Sequence, residues 1–505
     1  MAEFVIIKML FSATAGGKLF RKILIAVVLW TVWAGAAFCA PAFDLENGVR
    51  LSSASVHCVT PIAGGYRMYF STPSAYDVFS ASSVDGLDWT IEPGVRLSTR
   101  AAFLDASSIT SMGLYYDAAL AGGPYHAYYV GVNTNGQALL SAKSADGLAW
   151  TKDSAFSITF NGGAARLRSP KAYYAGAGKV HLYYIRDSGS APDPAAYRIY
   201  GMQSADNGAT FSGETLLLDT TGAYQLDVST LTDGTLRMFL AAPDVAGSTI
   251  TRVLAADSAT GSSFLSPPAL VFSTGAAANE LSGIAVTRST ETFRWRLYLT
   301  SRLNSDATTY VYSALTNSPV ITGFSPNLAY IDDGATDFTA TGEVFSPLLA
   351  SADLFGSAGN LTRLSVTPLS DMAFRIRAVP TGAPLGLYSL IVTNPDNRSA
   401  VMANVLNLDY RPGFTRLTDN LFRPLKGGQT KVDVTIYFPG VITATVYTLN
   451  GGLVKRLHNG PAPAGTLTFF WTGATDSGKI AASGLYLLRV TGPKLKETQK
   501  IVLIK

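Results

Sequence analysis

From about residue 43 onward, apolar and polar residues alternate in short runs broken by Gly, Pro, Asn and Asp, a pattern that predicts β-strands rather than helices. One aromatic strand recurs five times: Tyr66-Arg67-Met68-Tyr69-Phe70, Tyr125-His126-Ala127-Tyr128-Tyr129, Val180-His181-Leu182-Tyr183-Tyr184, Leu236-Arg237-Met238-Phe239-Leu240 and Trp295-Arg296-Leu297-Tyr298-Leu299. The copies start 59, 55, 56 and 59 residues apart (125−66, 180−125, 236−180, 295−236). A fixed period of this size marks stacked supersecondary units, and units made of strands predict a five-bladed β-propeller over about residues 43–317.

Each unit reads as an inner strand, the aromatic strand, a third strand, a tight turn and an outer strand. The turns resemble one another: Ser83-Val84-Asp85-Gly86-Leu87-Asp88-Trp89, Ser144-Ala145-Asp146-Gly147-Leu148-Ala149-Trp150, Ser204-Ala205-Asp206-Asn207-Gly208-Ala209-Thr210-Phe211, and a decayed Ser258-Ala259-Thr260-Gly261-Ser262-Ser263-Phe264. In such a turn Asp caps backbone N–H groups, Gly takes a positive φ and the aromatic ring fills the space between sheets, so these residues are scaffold. The third copy resembles the Asp-box of sialidase-like propellers; the first two are one residue shorter. The fifth unit lacks an outer strand after Thr309–Leu315. Phe43-Asp44-Leu45-Glu46-Asn47-Gly48-Val49-Arg50-Leu51-Ser52 resembles the outer strand Trp89-Thr90-Ile91-Glu92-Pro93-Gly94-Val95-Arg96-Leu97-Ser98 and is predicted to complete blade five, joining the ends of the ring.

Residues 1–42 change the reading of charge. Lys18, Arg21 and Lys22 precede an apolar run from Ile23 to Trp33 and then Ala40-Pro41-Ala42, the order of a cleaved secretory signal. The run is shorter than the ~20 residues a membrane span needs. Its removal takes Lys8, Lys18, Arg21, Lys22 and Glu3, leaving 35 basic residues (39−4) against 34 acidic (35−1). No basic stripe remains, so nucleic acid is not an expected partner. Only Cys58 survives cleavage, which rules out an intramolecular disulfide and suits an exported protein, secreted or on the cell surface, that relies on its cores.

Two further modules are expected. Residues 318–410 carry Pro319-Val320-Ile321-Thr322-Gly323-Phe324-Ser325-Pro326, Ala340-Thr341-Gly342-Glu343-Val344-Phe345, Val379-Pro380, Gly386-Leu387-Tyr388 and Val392-Thr393-Asn394-Pro395-Asp396. This resembles the IPT/TIG immunoglobulin-like domains and implies a β-sandwich. Residues 411–505 carry Asn420-Leu421-Phe422-Arg423-Pro424, Trp471-Thr472-Gly473, Asp476-Ser477-Gly478 and Ser483-Gly484-Leu485-Tyr486. They resemble the immunoglobulin-like domain first described in flagellar hook-capping proteins, although the usual acid between Trp and Gly is missing. The tail from Lys494 reads as a final strand. The resemblance implies a role in surface attachment or sorting.

The residues before each aromatic repeat are where the units differ: Ser55-Val56-His57-Cys58, Asp105-Ala106-Ser107-Ser108, Arg168-Ser169-Pro170-Lys171, Asp227-Val228-Ser229-Thr230 and Glu280-Leu281-Ser282-Gly283. At the starts of inner strands these would converge on the ring axis. Five blades with axial acids resemble arabinanase- and fructosidase-like glycoside hydrolases, which implies two carboxylates flanking a glycosidic bond. Asp105, Asp227 and Glu280 are the candidate catalytic set; His57, Arg168, Tyr116 and Tyr173 are the candidate substrate-binding residues. The family places its acids on blades one, two and three, whereas here blade one offers Ser55 and His57 and blade three offers Arg168. Arg67, Arg166 and Arg168 do not form the arginine cluster of a sialidase. No metal-ligating cluster, phosphate loop or dinucleotide fingerprint is present, so no cofactor is expected. The expected function is recognition of an extracellular polysaccharide, with hydrolysis as its enzymatic version; the alternative is a surface adhesin using the propeller as a protein-interaction disc.

Overall fold

A computed structural model of the protein describes residues 41–505 apart from residues 74, 119–122, 188–193, 221, 244–250, 275–280, 289–293, 303–307, 317, 347, 348, 350, 371 and 396. The leader, the Lys18-to-Ala42 pattern save its last two residues, and Glu280 lie outside the described residues. Among those described, the fold is all β, with three 3-10 turns and no α-helix, and no helix is long and apolar enough to cross a membrane.

Four antiparallel sheets follow one another as four-stranded meanders. Blade one is Ser55–Ile62, Gly65–Thr72, Ala75–Ser83 and Thr90–Ile91. Blade two is Ser108–Tyr116, Tyr125–Asn133, Gly136–Ser144 and Thr151–Ile158. Blade three is Leu167–Gly176, Lys179–Arg186, Arg198–Ser204 and Ser212–Leu218. Blade four is Gln225–Thr230, Leu236–Pro243, Thr251–Ser258 and Ala269–Ser273. Blade five combines Gly283–Arg288, Trp295–Arg302 and Thr309–Thr316 with two strands from the start of the described chain, Phe43–Leu45 and Leu51–Ser52. The register is Phe43↔Thr316 to Leu45↔Ala314, then Leu51↔Val311. The inner strand of each sheet touches that of the next, and blade five returns to blade one, so the five sheets close a ring.

The sequence likeness of residues 43–52 to residues 89–98 is realised atom by atom. Arg67 Nε donates to Glu92 at 2.9 Å, and Arg296 Nε donates to Glu46 at 2.8 Å. Ser80 Oγ and Ser313 Oγ each donate to the respective glutamate at 2.6 Å. Arg96 Nε and Arg50 Nε then donate to those serines at 2.7 Å.

Apolar burial is distributed between the sheets rather than within one central core. Each seam holds its own cluster: for example Tyr69, Met112, Ala127 and Leu140 between blades one and two, and Tyr183, Leu226, Met238 and Phe264 between blades three and four. The tight turns stitch these seams. Asp85, Asp146 and Asp206 accept from the backbone N–H groups of Leu87, Leu148 and Thr210, while Ser83, Ser144, Ser204 and Ser258 accept from the glycine N–H. The glycine carbonyl then takes a tyrosine hydroxyl from the preceding blade: Tyr69 to Gly147 at 2.8 Å, Tyr128 to Gly208 at 3.0 Å, Tyr183 to Gly261 at 2.8 Å and Tyr298 to Gly86 at 3.0 Å. Each tyrosine also meets the aromatic ring ending that turn edge-on, at 5.4–5.9 Å. At the fourth-to-fifth seam the tyrosine is Phe239, and its edge-on partner, at 6.0 Å, is Phe43.

Two sandwiches follow. One packs Val320–Ser325, Thr336–Glu343, Ala373–Val379 and Thr362–Ser370 against a sheet containing Leu328–Tyr330, Ser399–Asp409, Gly386–Thr393 and Ser351–Gly356. The other packs Phe414–Thr418, Thr430–Ile436 and Gly465–Trp471 against a five-stranded sheet in which the tail forms Leu495–Leu503. Both contain a tyrosine whose hydroxyl returns four residues up the chain, Tyr388 to the Pro384 carbonyl at 2.6 Å and Tyr486 to Ala482 at 2.7 Å, the corner device of immunoglobulin-like sandwiches. Gly473, in the turn where an acid was missing, has φ +82° and packs on Leu503 and Pro424.

Candidate binding site on the ring axis

Four of the five inner strands pass a predominantly buried stretch by the axis, and there a lysine stands out: Lys171 is 3% exposed. Its strand shifts register between Arg168 and Lys171. The stem of Lys171 lies against Gly113 of blade two, where a Cβ would sit 2.9 Å from its Cδ. Its ammonium donates to the His57 carbonyl of blade one at 2.5 Å and pairs with Asp227 of blade four at 3.2 Å. Asp227 in turn accepts the backbone N–H of Val286, on blade five, at 2.7 Å. One ion pair therefore joins all five blades across the axis. Burial pushes the Asp227 carboxyl above its usual range, opposed by Lys171 and by the backbone donors of Val286 and Val228. Burial also pushes the neighbouring Cys58 thiol up to about 12, so it stays protonated.

Above this plug lies a cavity of about 370 Å³. Its wall is made of the C-terminal parts of the five inner strands, with Tyr115 and Tyr116 from blade two, Tyr173 from blade three, and the hydroxyls of Thr60, Ser229, Thr230 and Thr287 among them. Tyr116 is 53% exposed and stands edge-on to Tyr125 at 4.9 Å. Tyr115 is buried and stacks on Tyr174 at 5.9 Å, which fixes this part of the wall. The arrangement combines π faces, hydroxyl groups and a charged floor, suited to a polyhydroxylated ligand with apolar C–H faces.

Of the residues expected at the axis, Asp227, Tyr116 and Tyr173 line this one cavity. The cavity lies toward the C-terminal ends of the inner strands, the opposite end from that expected. Asp105 does not reach it. The Asp105 carboxylate is fully enclosed, pairs with Lys152, accepts Tyr129 Oη at 3.2 Å and lies 4.0 Å from Arg100 Nε. Thus Asp105 and Asp227 are each committed to a different lysine and share no partner. His57 contributes its carbonyl to the plug, while its ring is buried with no hydrogen-bond partner on Nε2; burial, with Lys171 nearby, lowers its pKa to about 3. Arg168 lies over the Tyr197 ring at 4.6 Å and does not line the cavity. Lys171 was not among the expected site residues, yet a lysine inside a strand of buried residues is itself the signal that would have found it. No group of His, Cys, Asp and Glu suited to a metal occurs among the described residues.

A family model for the FlgD Ig-like domain matches residues 420–495. No curated protein sequence matches the chain. Among solved structures, the chain is similar to an endo-arabinase from Bacteroides thetaiotaomicron, with 17% identity and a TM-score of 0.40 over 55% of this chain and 97% of that one. A thermostable family-43 glycoside hydrolase gives 12% identity and a TM-score of 0.40 over 54% of this chain and 92% of its own. A GH32 beta-fructofuranosidase from Bombyx mori gives 11% and 0.38 over 96% of this chain and 97% of its own.

Proposed function

We propose that the protein recognises a polysaccharide in the axial cavity, without hydrolysis by the described residues that line it. The observation that carries this reading is a cavity with tyrosine and hydroxyl walls whose single carboxylate, among the described residues lining it, is held by a lysine. Glycosidic hydrolysis needs two carboxylates, one protonated and one ionised, about 5–9.5 Å apart across the bond. Asp227 supplies one at most, and Asp105 serves as scaffold in this reading. The leader pattern supports an exported, cell-surface or secreted protein. The IPT/TIG-like motifs of the second module and the hook-capping-type third module support spacing and attachment to surface components.

The test is a glycan array spanning plant and bacterial polysaccharides, with reducing-sugar release measured on every binder. Binding that weakens at least tenfold in both Tyr116→Ala and Tyr173→Ala, without sugar release, is expected. Binding indifferent to both changes, or no binding, overturns the proposal. Sugar release by the unaltered protein would establish the enzymatic version instead.

A further inference from the structure

The cavity has a floor. Lys171 crosses the axis from blade three, touching blades one, two and four, and Asp227 ties in blade five. Beneath this layer Val56, Met112, Ser169, Leu226 and Ile284 of the five inner strands are each no more than 3% exposed, four of them packed into the seams between blades. Blades also close up there: a Cβ on Gly113 would lie 2.0 Å from the Pro170 carbonyl and one on Gly283 2.4 Å from that of Val56. The sides are equally shut, because the wall is the ring of inner strands itself.

From these facts we infer that the site takes the end of a glycan chain, a terminal glycosyl unit, and excludes the interior of a chain. The inference rests on the glycan reading above. An internal segment needs two exits, either through the ring or along an open groove, and among the described residues the Lys171–Asp227 layer leaves this cavity one. From Asp227 at the floor to Thr230 at the rim the wall spans three residue steps, roughly 10 Å of strand. With about 370 Å³, near the lower end of small-ligand pockets, it holds about two sugar rings. Sugars beyond those project from the mouth and touch only its rim, where Tyr116 and Thr230 are exposed.

Calorimetry on the full chain tests this with ladders of one to six units of arabino-, xylo-, fructo-, manno- and cello-oligosaccharides, alongside the parent polymers. Affinity that levels off at about two units, and a polymer capacity that rises in proportion to new ends after partial endo-digestion, is the expected result. Thr230→Trp, at the rim, should weaken that binding at least tenfold while the thermal transition is retained. Capacity that follows polymer mass and ignores digestion overturns chain-end recognition while leaving glycan recognition standing. Absence of binding to every probe overturns both.

Discussion

Arg237 of blade four gives two hydrogen bonds to Glu343 of the following sandwich, at 2.6 and 2.7 Å, where the equivalent arginines of other blades reach a tight turn of the next blade. Arg67 donates to the Asp146 carbonyl and Arg296 to the Asp85 carbonyl. Among the described residues blade five shows no such turn: its third strand ends at Thr316 and the sandwich begins at Val320. Glu343 takes the vacant place, and Arg237, 1% exposed, also pairs with Asp257. Burial opposes the charge on Arg237, but the bonds to Asp257 and Glu343 leave its pKa raised.

Removing one partner of a buried pair costs about 3–5 kcal/mol. Glu343→Ala should therefore lower the thermal transition of the propeller, read by calorimetry on the full chain, although Glu343 lies outside the ring. A transition unmoved by the change would mean that the sandwich merely rests against blade four.

The tyrosine latches make an asymmetric prediction. Tyr69→Phe, Tyr128→Phe and Tyr183→Phe each delete one buried hydrogen bond and should cost about 1 kcal/mol or somewhat more, since a carbonyl loses a donor. Phe239→Tyr at the same position of blade four should also destabilise, by about 1–3 kcal/mol, because its seam has no turn carbonyl to receive the hydroxyl. Chemical denaturation of the four variants decides the matter; a stabilised Phe239→Tyr protein would contradict the seam described.

His57 sets a pH dependence. Its folded pKa, about 3, lies below the unfolded value near 6.5, so the unfolded chain binds a proton that the folded one refuses. The stabilisation is complete above pH 6.5 and is lost as pH falls toward the folded value, amounting to about 3 kcal/mol between pH 7 and 4. Urea unfolding across that range should show a shallower slope against pH in His57→Gln, whatever that change does to stability at pH 7.

Asp105 and Asp227 should separate in function. Asp105→Asn leaves Lys152 with the Ser98 carbonyl but no counter-charge from Asp105, and should lower stability by about 3–5 kcal/mol while glycan affinity stays within twofold. Asp227→Asn should disturb both. Paired calorimetric titrations and thermal melts measure this; equal loss of affinity in the two variants would place Asp105 at the ligand.

The blade count and the closing strand were legible because both are written in repeated chemistry: Glu46 and Glu92, Arg50 and Arg96, and the Phe43 and Trp89 rings occupy matched places. The site was less so. Aligning inner strands on the aromatic repeat presumes constant alternation, yet three of them shift register: between Val56 and Cys58, between Ile109 and Ser111, and between Arg168 and Lys171. One extra residue turns every following side chain to the other face. That is why Lys171 rather than Arg168 reaches the axis, and Asp105 precedes its inner strand altogether.

The fifth seam also dictates an order of assembly. Phe43 pairs with Thr316, 273 positions later (316−43), and Arg237 waits for Glu343. During synthesis neither contact can form until nearly the whole ring and the start of the sandwich exist. Blades one to four can pack as they appear, while the face of blade one that meets blade five stays open and the strand from Phe43 to Leu45 stays unpaired. Loop closure over so many residues is slow, so a partly made chain carries an exposed strand edge for most of its synthesis. The ring is fastened last at blade five, which takes its outer strand from the start of the propeller and meets blade one.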